Sequence, residues 1–219
     1  RVLKTVNSLI EQVVKSYGIA PEEICNAVIS ANTTMVHLLL GLKPEYIRLS
    51  PYTPTVLNVP FLSAAEIGLN INPLSWVYIS PAVGSYVGGD ITAGLLCTDL
   101  AADSSEISLF IDIGTNGEVA VGNNEFLMTC ACPAGPAFEG GGIKYGMRAS
   151  RGAIERVHVD PDSGICTYQT IGGTKPKGIC GSGMIALLAD LFLTGWIDAA
   201  GKLNRKKPSE AISFDGRNG

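Results

Sequence analysis

Charge is scarce in this sequence: 16% of its 219 residues are Asp, Glu, Lys or Arg, and the formal net charge is −4. That balance excludes a surface built mainly for nucleic acid or an anionic membrane. The densest basic stretch, residues 204–208, is short and reads as a solvated loop. No apolar run can cross a bilayer; the most apolar helix-like stretch, residues 183–196, is too short and carries Asp190. The first residues lack a signal-peptide layout. Six cysteines occur, at 25, 97, 130, 132, 166 and 180, with no C-x-x-C spacing, which points to reduced thiols and a cytoplasmic protein. Cys130 and Cys132 fall two apart on a strand, hence on one face; buried packing is the expectation, a metal pair the alternative. Only two histidines are present, His37 in an apolar helix and His158 in a strand. Both read as structural, and no Ser/His/Asp arrangement can be assembled from the spacing. Repeats and low-complexity segments are absent as well.

Apolar residues, by contrast, make up 46% of the chain, ample for a core. The spacing of Val2, Val6, Leu9, Ile10 and Val13 predicts a helix over 2–17, closed by Gly18. Residues 21–23 open a short turn, and 24–31 read as a strand buried on both faces. Asn32 caps a helix from Thr33 to about Leu40. The proline-rich stretch 44–62 is expected to lie extended over a surface. A strand at 76–80 then leads through a glycine-rich exit to a helix over 91–101. Strands follow at 107–112, 117–122 and 126–132, separated by turn residues Gly-Thr-Asn-Gly and Asn-Asn-Glu. A glycine-rich excursion (133–155) precedes strands near 153–159 and 165–171, and a Gly-rich loop converts into a helix after residue 180. The chain starts directly in a helix without a methionine and stops in a polar tail, as expected of a piece of a longer protein.

Chemistry concentrates at residues 109–123, Leu-Phe-Ile-Asp-Ile-Gly-Thr-Asn-Gly-Glu-Val-Ala-Val-Gly-Asn. An apolar run there delivers Asp112 to the end of an expected buried strand, a costly place for a carboxylate without hydrogen bonds or a cation. Gly114 and Gly117 permit close approach to the backbone, whose N–H groups can face an anion, while Thr115 and Asn116 add side-chain contacts. An acid beside such a nest suggests a magnesium nucleotide. Because the turn joins strand to strand, Walker and Rossmann loops are disfavoured. Three further clusters are candidates. Gly181, Ser182 and Gly183 stand at a helix N-terminus, suited to anionic oxygens or to close helix packing. Gly135 belongs to a loop whose sole acid is Glu139. Asp90 begins a helix, as a cap or a metal ligand.

Taken together, residues 31–42, 86–96, 112–118, 134–143, 146–155 and 178–191 resemble the ATPase region of reductive activators of corrinoid proteins, within the superfamily of acetate and sugar kinases, heat-shock chaperone ATPases and actin. The resemblance implies an α/β, actin-like (ribonuclease-H-like) ATPase fold, with parts of two related halves of mixed sheets flanked by helices. Residues 1–102 would be the later part of the first half, and 103–219 the early part of the second, with the glycine-rich insertion. It implies ATP and Mg²⁺ as ligands, with Asp112 on the metal or the attacking water and Glu118 orienting water. Asp90 would be a second metal contact, and Gly114, Thr115, Asn116, Gly117, Gly135, Gly181, Ser182 and Gly183 would hold nucleotide. It also implies a two-iron ferredoxin-type cluster in a domain outside this chain, a corrinoid protein as partner, Co(II) to Co(I) reduction and a homodimer, with neither nucleic acid nor membrane involved. Ferredoxin cysteine spacing, the first phosphate hairpin and the downstream adenosine segment have no counterpart in these residues, so weak ATP binding and little turnover are expected of them alone. The rival readings are a sugar- or acetate-kinase-like phosphotransferase, an activator of hydroxyacyl-CoA dehydratases with a bridging cluster, and a non-catalytic dimerisation and docking module.

Overall fold

The computed structural model describes residues 1–101, 105–133 and 135–207. The expected boundary at 102/103, Ala134 of the glycine-rich loop and the tail 208–219 lie outside them. The chain is α/β and divides into two units, residues 1–112 with 117–132, and residues 113–116 with 133–219.

The first unit opens with α1 (Val2–Tyr17), ended by Gly18 in the left-handed region at φ 65°. Its apolar stripe of Val2, Leu3, Val6 and Ile10 packs on the main core, which is how an amphipathic helix gains most of its stability. Next come β1 (Asn26–Ile29) and α2 (Thr33–Leu39), where the Asn32 side chain accepts from the Met35 N–H at 2.9 Å as the cap. Two short elements follow, β2 (Leu62–Ser63) and α3 (Ala64–Ile67). At α3, Ser63 and Glu66 satisfy each other's backbone donors in a capping box. The central strand β3 (Trp76–Ile79) pairs parallel with β1, Val28 opposite Tyr78, and antiparallel with β2. Val77 and Ile79 point from it into a core shared with Val36, Leu39, Ala64 and Ile67.

Strand β1 departs from expectation. Instead of two buried faces it alternates, and Val28 is 71% exposed. Only the face carrying Ala27 and Ile29 meets the core, because α1, α2 and α3 all serve that core.

Helix α4 (Gly89–Leu95) starts two residues before the expected position and ends earlier, followed by a 3₁₀ turn at Asp99–Ala101. Its two leading glycines are explained by crowding. A Cβ on Gly88 would lie 2.5 Å from Asn32 Cα, and one on Gly89 2.3 Å from the Ser80 carbonyl oxygen. The unit also holds a sheet ordered β4 (Ser108–Ile113), β5 (Asn116–Gly122), β6 (Leu127–Pro133). Connections of two and four residues between hydrogen-bonded neighbours require antiparallel pairing. Phe110 and Ala120 pack with Leu95 and Leu100 beneath it.

In the second unit, β7 (Ala153–Val159) pairs antiparallel with β8 (Cys166–Thr170) and parallel with β9 (Gly178–Ile179), which turns directly into α5 (Gly181–Leu193). Asp190 fastens that helix to β7: its Oδ2 accepts from the Val159 N–H at 2.5 Å and lies 2.9 Å from His158 Nδ1. Trp196, beyond the helix, is buried and donates its indole N–H to the Asp160 carbonyl.

Candidate functional site

The hairpin predicted around Asp112 forms, with a tighter bend than expected. Only Gly114 and Thr115 stand between β4 and β5, and the Gly114 N–H donates to the Asn116 carbonyl at 2.8 Å. Burial is a correction. Asp112 is exposed, and so are Leu109 (62%) and Ile111 (53%) on the same strand. The apolar run has a covered face, carrying Phe110, and an uncovered one. Asp112 is therefore a hydrated acid at a strand end, and needs no buried partner to exist there.

What the hairpin leaves open is more informative. Neither Gly114 nor Gly117 adopts positive φ. A Cβ on Gly114 would meet only the Asn116 carbonyl oxygen, at 3.7 Å; one on Gly117 would come no nearer than 3.7 Å to Cys132 Sγ. Those are ordinary contacts, so the folded backbone does not itself demand glycine at either position. A ligand pressed against the backbone would demand it. Crowding inside the fold therefore leaves glycine at these two positions unexplained.

The other expected glycines have explanations inside the fold. Gly135 sits at φ 76°, a conformation that favours glycine. At Gly181 a Cβ would lie 2.6 Å from the Phe138 carbonyl oxygen, and at Gly183 2.2 Å from that of Ile154. Close packing of α5 against the glycine-rich loop and β7 accounts for both. The helix start nevertheless has no side-chain cap, so its first N–H groups keep their positive character. Ser182 Oγ lies 3.3 Å from Cys180 Sγ, and that thiol is also within 3.2 Å of the Ile154 carbonyl.

Asp90 occupies the first turn of α4, where Oδ1 accepts from the Ile91 N–H at 3.0 Å, and the cap position itself belongs to Gly88. Among the described residues no group of three or more His, Cys, Asp or Glu is placed to hold a metal by itself. A nucleotide-borne magnesium needs fewer, commonly one or two carboxylates with phosphate and water. Glu118 is half-buried on β5.

Contrary to expectation, Cys130 and Cys132 are exposed, because the face of β6 that carries them is not covered. The Cys132 thiol donates to the Gly117 carbonyl at 3.3 Å. All six cysteines are free thiols. His37 is structural, as expected: it is fully buried, its Nδ1 lies 2.8 Å from the Thr33 carbonyl, and Nε2 faces the Thr55 N–H at 3.0 Å. A carbonyl can only accept and an amide only donate, so the proton sits on Nδ1.

One residue outside the expected set joins the hairpin. The Thr115 hydroxyl donates to Glu139 Oε1 at 2.5 Å. Glu139 closes the 3₁₀ turn Pro136–Glu139 between two glycines of positive φ, Gly135 and Gly140. Its signal in the sequence was being the sole acid of that loop. Two carboxyls outside the hairpin are held below their ordinary range. Glu66 is lowered by its hydrogen bonds from the Ser63 backbone and side chain. Asp160 is lowered first by the Ser163 backbone and side chain, with smaller help from Asp162 and His158.

Comparison with known proteins adds to this geometry. Residues 1–103 match a family model described as the RACo middle region, and residues 106–219 one described as the C-terminal domain of RACo, the ASKHA domain. The chain is 38% identical over 218 residues to the corrinoid activation enzyme RamQ of Eubacterium limosum, covering 100% of this chain and 36% of that protein. It is 32% identical over 153 residues to the [Co(II) methylated amine-specific corrinoid protein] reductase of Methanosarcina barkeri, covering 60% of this chain and 28% of that protein. A solved reductive activator for corrinoid, iron-sulfur protein superposes with a TM-score of 0.79 at 54% identity, over 99% of this chain and 34% of that one. The chain therefore spans about a third of the length of the relatives it matches.

Proposed function

The chain belongs to the RACo family, and from that premise we propose that it is the nucleotide-binding region of an ATP-dependent reductive activator of corrinoid proteins. The observation that carries the reading is the pair of glycines, Gly114 and Gly117, that the folded backbone leaves free to be something else. In this reading their backbone borders the phosphates, Asn116 adds a side-chain contact, and the N–H groups of Gly181, Ser182 and Gly183 contribute a favourable potential. Asp112, hydrated and exposed, orients the magnesium or its water; Glu118 orients water and Asp90 is a second contact for the cation.

ATP supplies the free energy for a reduction, Co(II) to Co(I), that many donors cannot drive. This chain's part is to bind nucleotide differently in two conformations of the protein. The bias so created is bounded by the difference between those two affinities. Electrons would enter from a two-iron cluster held elsewhere. Among the described residues the cysteines have neither the spacing nor the grouping to ligate one. The partner is a corrinoid protein of a methyltransferase system, and the active form is a cytoplasmic homodimer.

Calorimetry with MgATP and MgADP tests the reading. Weak binding by the 219 residues is expected, because two motifs called for by the resemblance have no counterpart in them. Gly117→Val should lower it more than tenfold with the thermal midpoint unchanged. Equal affinity in the variant would remove the cradle. In the complete activator, Asp112→Ala should abolish partner-stimulated hydrolysis; normal turnover would cancel that assignment.

A further inference from the structure

The Thr115–Glu139 contact assigns a sign to the ligand. A threonine hydroxyl has one proton and two lone pairs, and an ionised carboxylate can only accept. With its proton committed to Glu139 Oε1 at 2.5 Å, Thr115 offers its surroundings lone pairs and no donor. It is then unsuited to a phosphate oxygen and suited to a cation. Glu139 adds negative charge at the same place, which would repel a bare phosphate chain. The contact also joins two segments far apart in sequence, the β4–β5 turn and the 3₁₀ turn after Gly135, so it belongs to the fold of the second unit and not to one loop. Phosphate-loop ATPases use the same pairing, a hydroxyl on magnesium beside an acid.

We propose that Thr115 and Glu139 form the cation side of the nucleotide site: Thr115 Oγ1 ligates the divalent ion that accompanies the nucleotide, and Glu139 holds the hydroxyl proton away from it. This rests on the nucleotide reading and corrects the expected role of Thr115 as a phosphate contact. Glu139 is a positioning residue here, acting through Thr115.

The test is ADP affinity of this chain at increasing Mg²⁺ and in excess chelator, with circular dichroism to confirm folding. Thr115→Val, isosteric but without the hydroxyl, should raise the Mg²⁺ concentration for half-maximal binding about tenfold, the scale of losing a ligand or its supporting partner. It should leave affinity in chelator unchanged, and Thr115→Ser should restore the original Mg²⁺ dependence. Glu139→Gln should shift the Mg²⁺ requirement the same way by a smaller factor and tighten metal-free binding. If Thr115→Val weakens binding equally with and without Mg²⁺, the hydroxyl donates to phosphate, and this inference falls while the nucleotide site stands. If the unsubstituted chain binds no ADP at millimolar concentration under either condition, both fall.

Discussion

His37 shows what a single polar side chain can do in a small core. It is completely enclosed and joins three backbone groups, the Thr33 carbonyl and the N–H groups of Thr55 and Val56. Replacing it with alanine opens a cavity and strands those groups, so His37→Ala should destabilise the first unit by about 3 kcal/mol, read by denaturant unfolding. Asp160 makes the opposite case, a surface acid controlled by its neighbours. Ser163 donates to it from both backbone and side chain, at 2.7 Å each. Its folded-state pKa is depressed, so its contribution to stability is present above the unfolded pKa and disappears as pH falls through the folded one. Ser163→Ala should move the Asp160 titration, followed by carboxyl NMR, back toward the ordinary aspartate value. An unmoved titration would mean the backbone donors alone set it. At this scale the tight turn at Gly114 and Thr115 was legible from its residue types, whereas the Thr115–Glu139 contact was not. Twenty-four residues separate the two, and no local pattern encodes their meeting.

Elements were legible wherever their signal is local. Helices α1 and α2 begin and end near the residues that the apolar period, Asn32 and Gly18 indicated, because caps and left-handed glycines act within one turn. The hairpins follow from turn residues for the same reason. Burial of strands was less legible. The apolar run of β1 suggested two covered faces and that of β4 a buried strand, yet each has one face open. A run of apolar residues records what a strand can bury, and only the placement of neighbouring helices decides what it does bury. Helix α5 carries the clearest test at this level. A Cβ on Gly183 would lie 2.2 Å from the Ile154 carbonyl oxygen, so Gly183→Ala must displace the helix from β7. The cost should be about 2–3 kcal/mol, with the Trp196 environment disturbed. A neutral substitution would show that the helix start is not packed as described.

At the scale of the molecule, one tryptophan falls in each unit and they report opposite environments. Trp76 is 61% exposed on the open face of β3, while Trp196 is 3% exposed. Acrylamide should therefore quench two populations, and Trp76→Phe should remove the accessible, red-shifted one. A single homogeneous population would contradict the described burial. The longer helices and strands in their order, the α/β class, the family and the hairpin were determined by the sequence alone, through local patterns and motifs, whereas the short elements β2, α3 and β9 were not. Which strand faces are covered, which glycines are needed for packing and which are spare, and where the Thr115 proton points were decided only by tertiary structure. Those properties depend on atoms brought together from distant segments, and a linear pattern fixes what each segment offers, not what it meets.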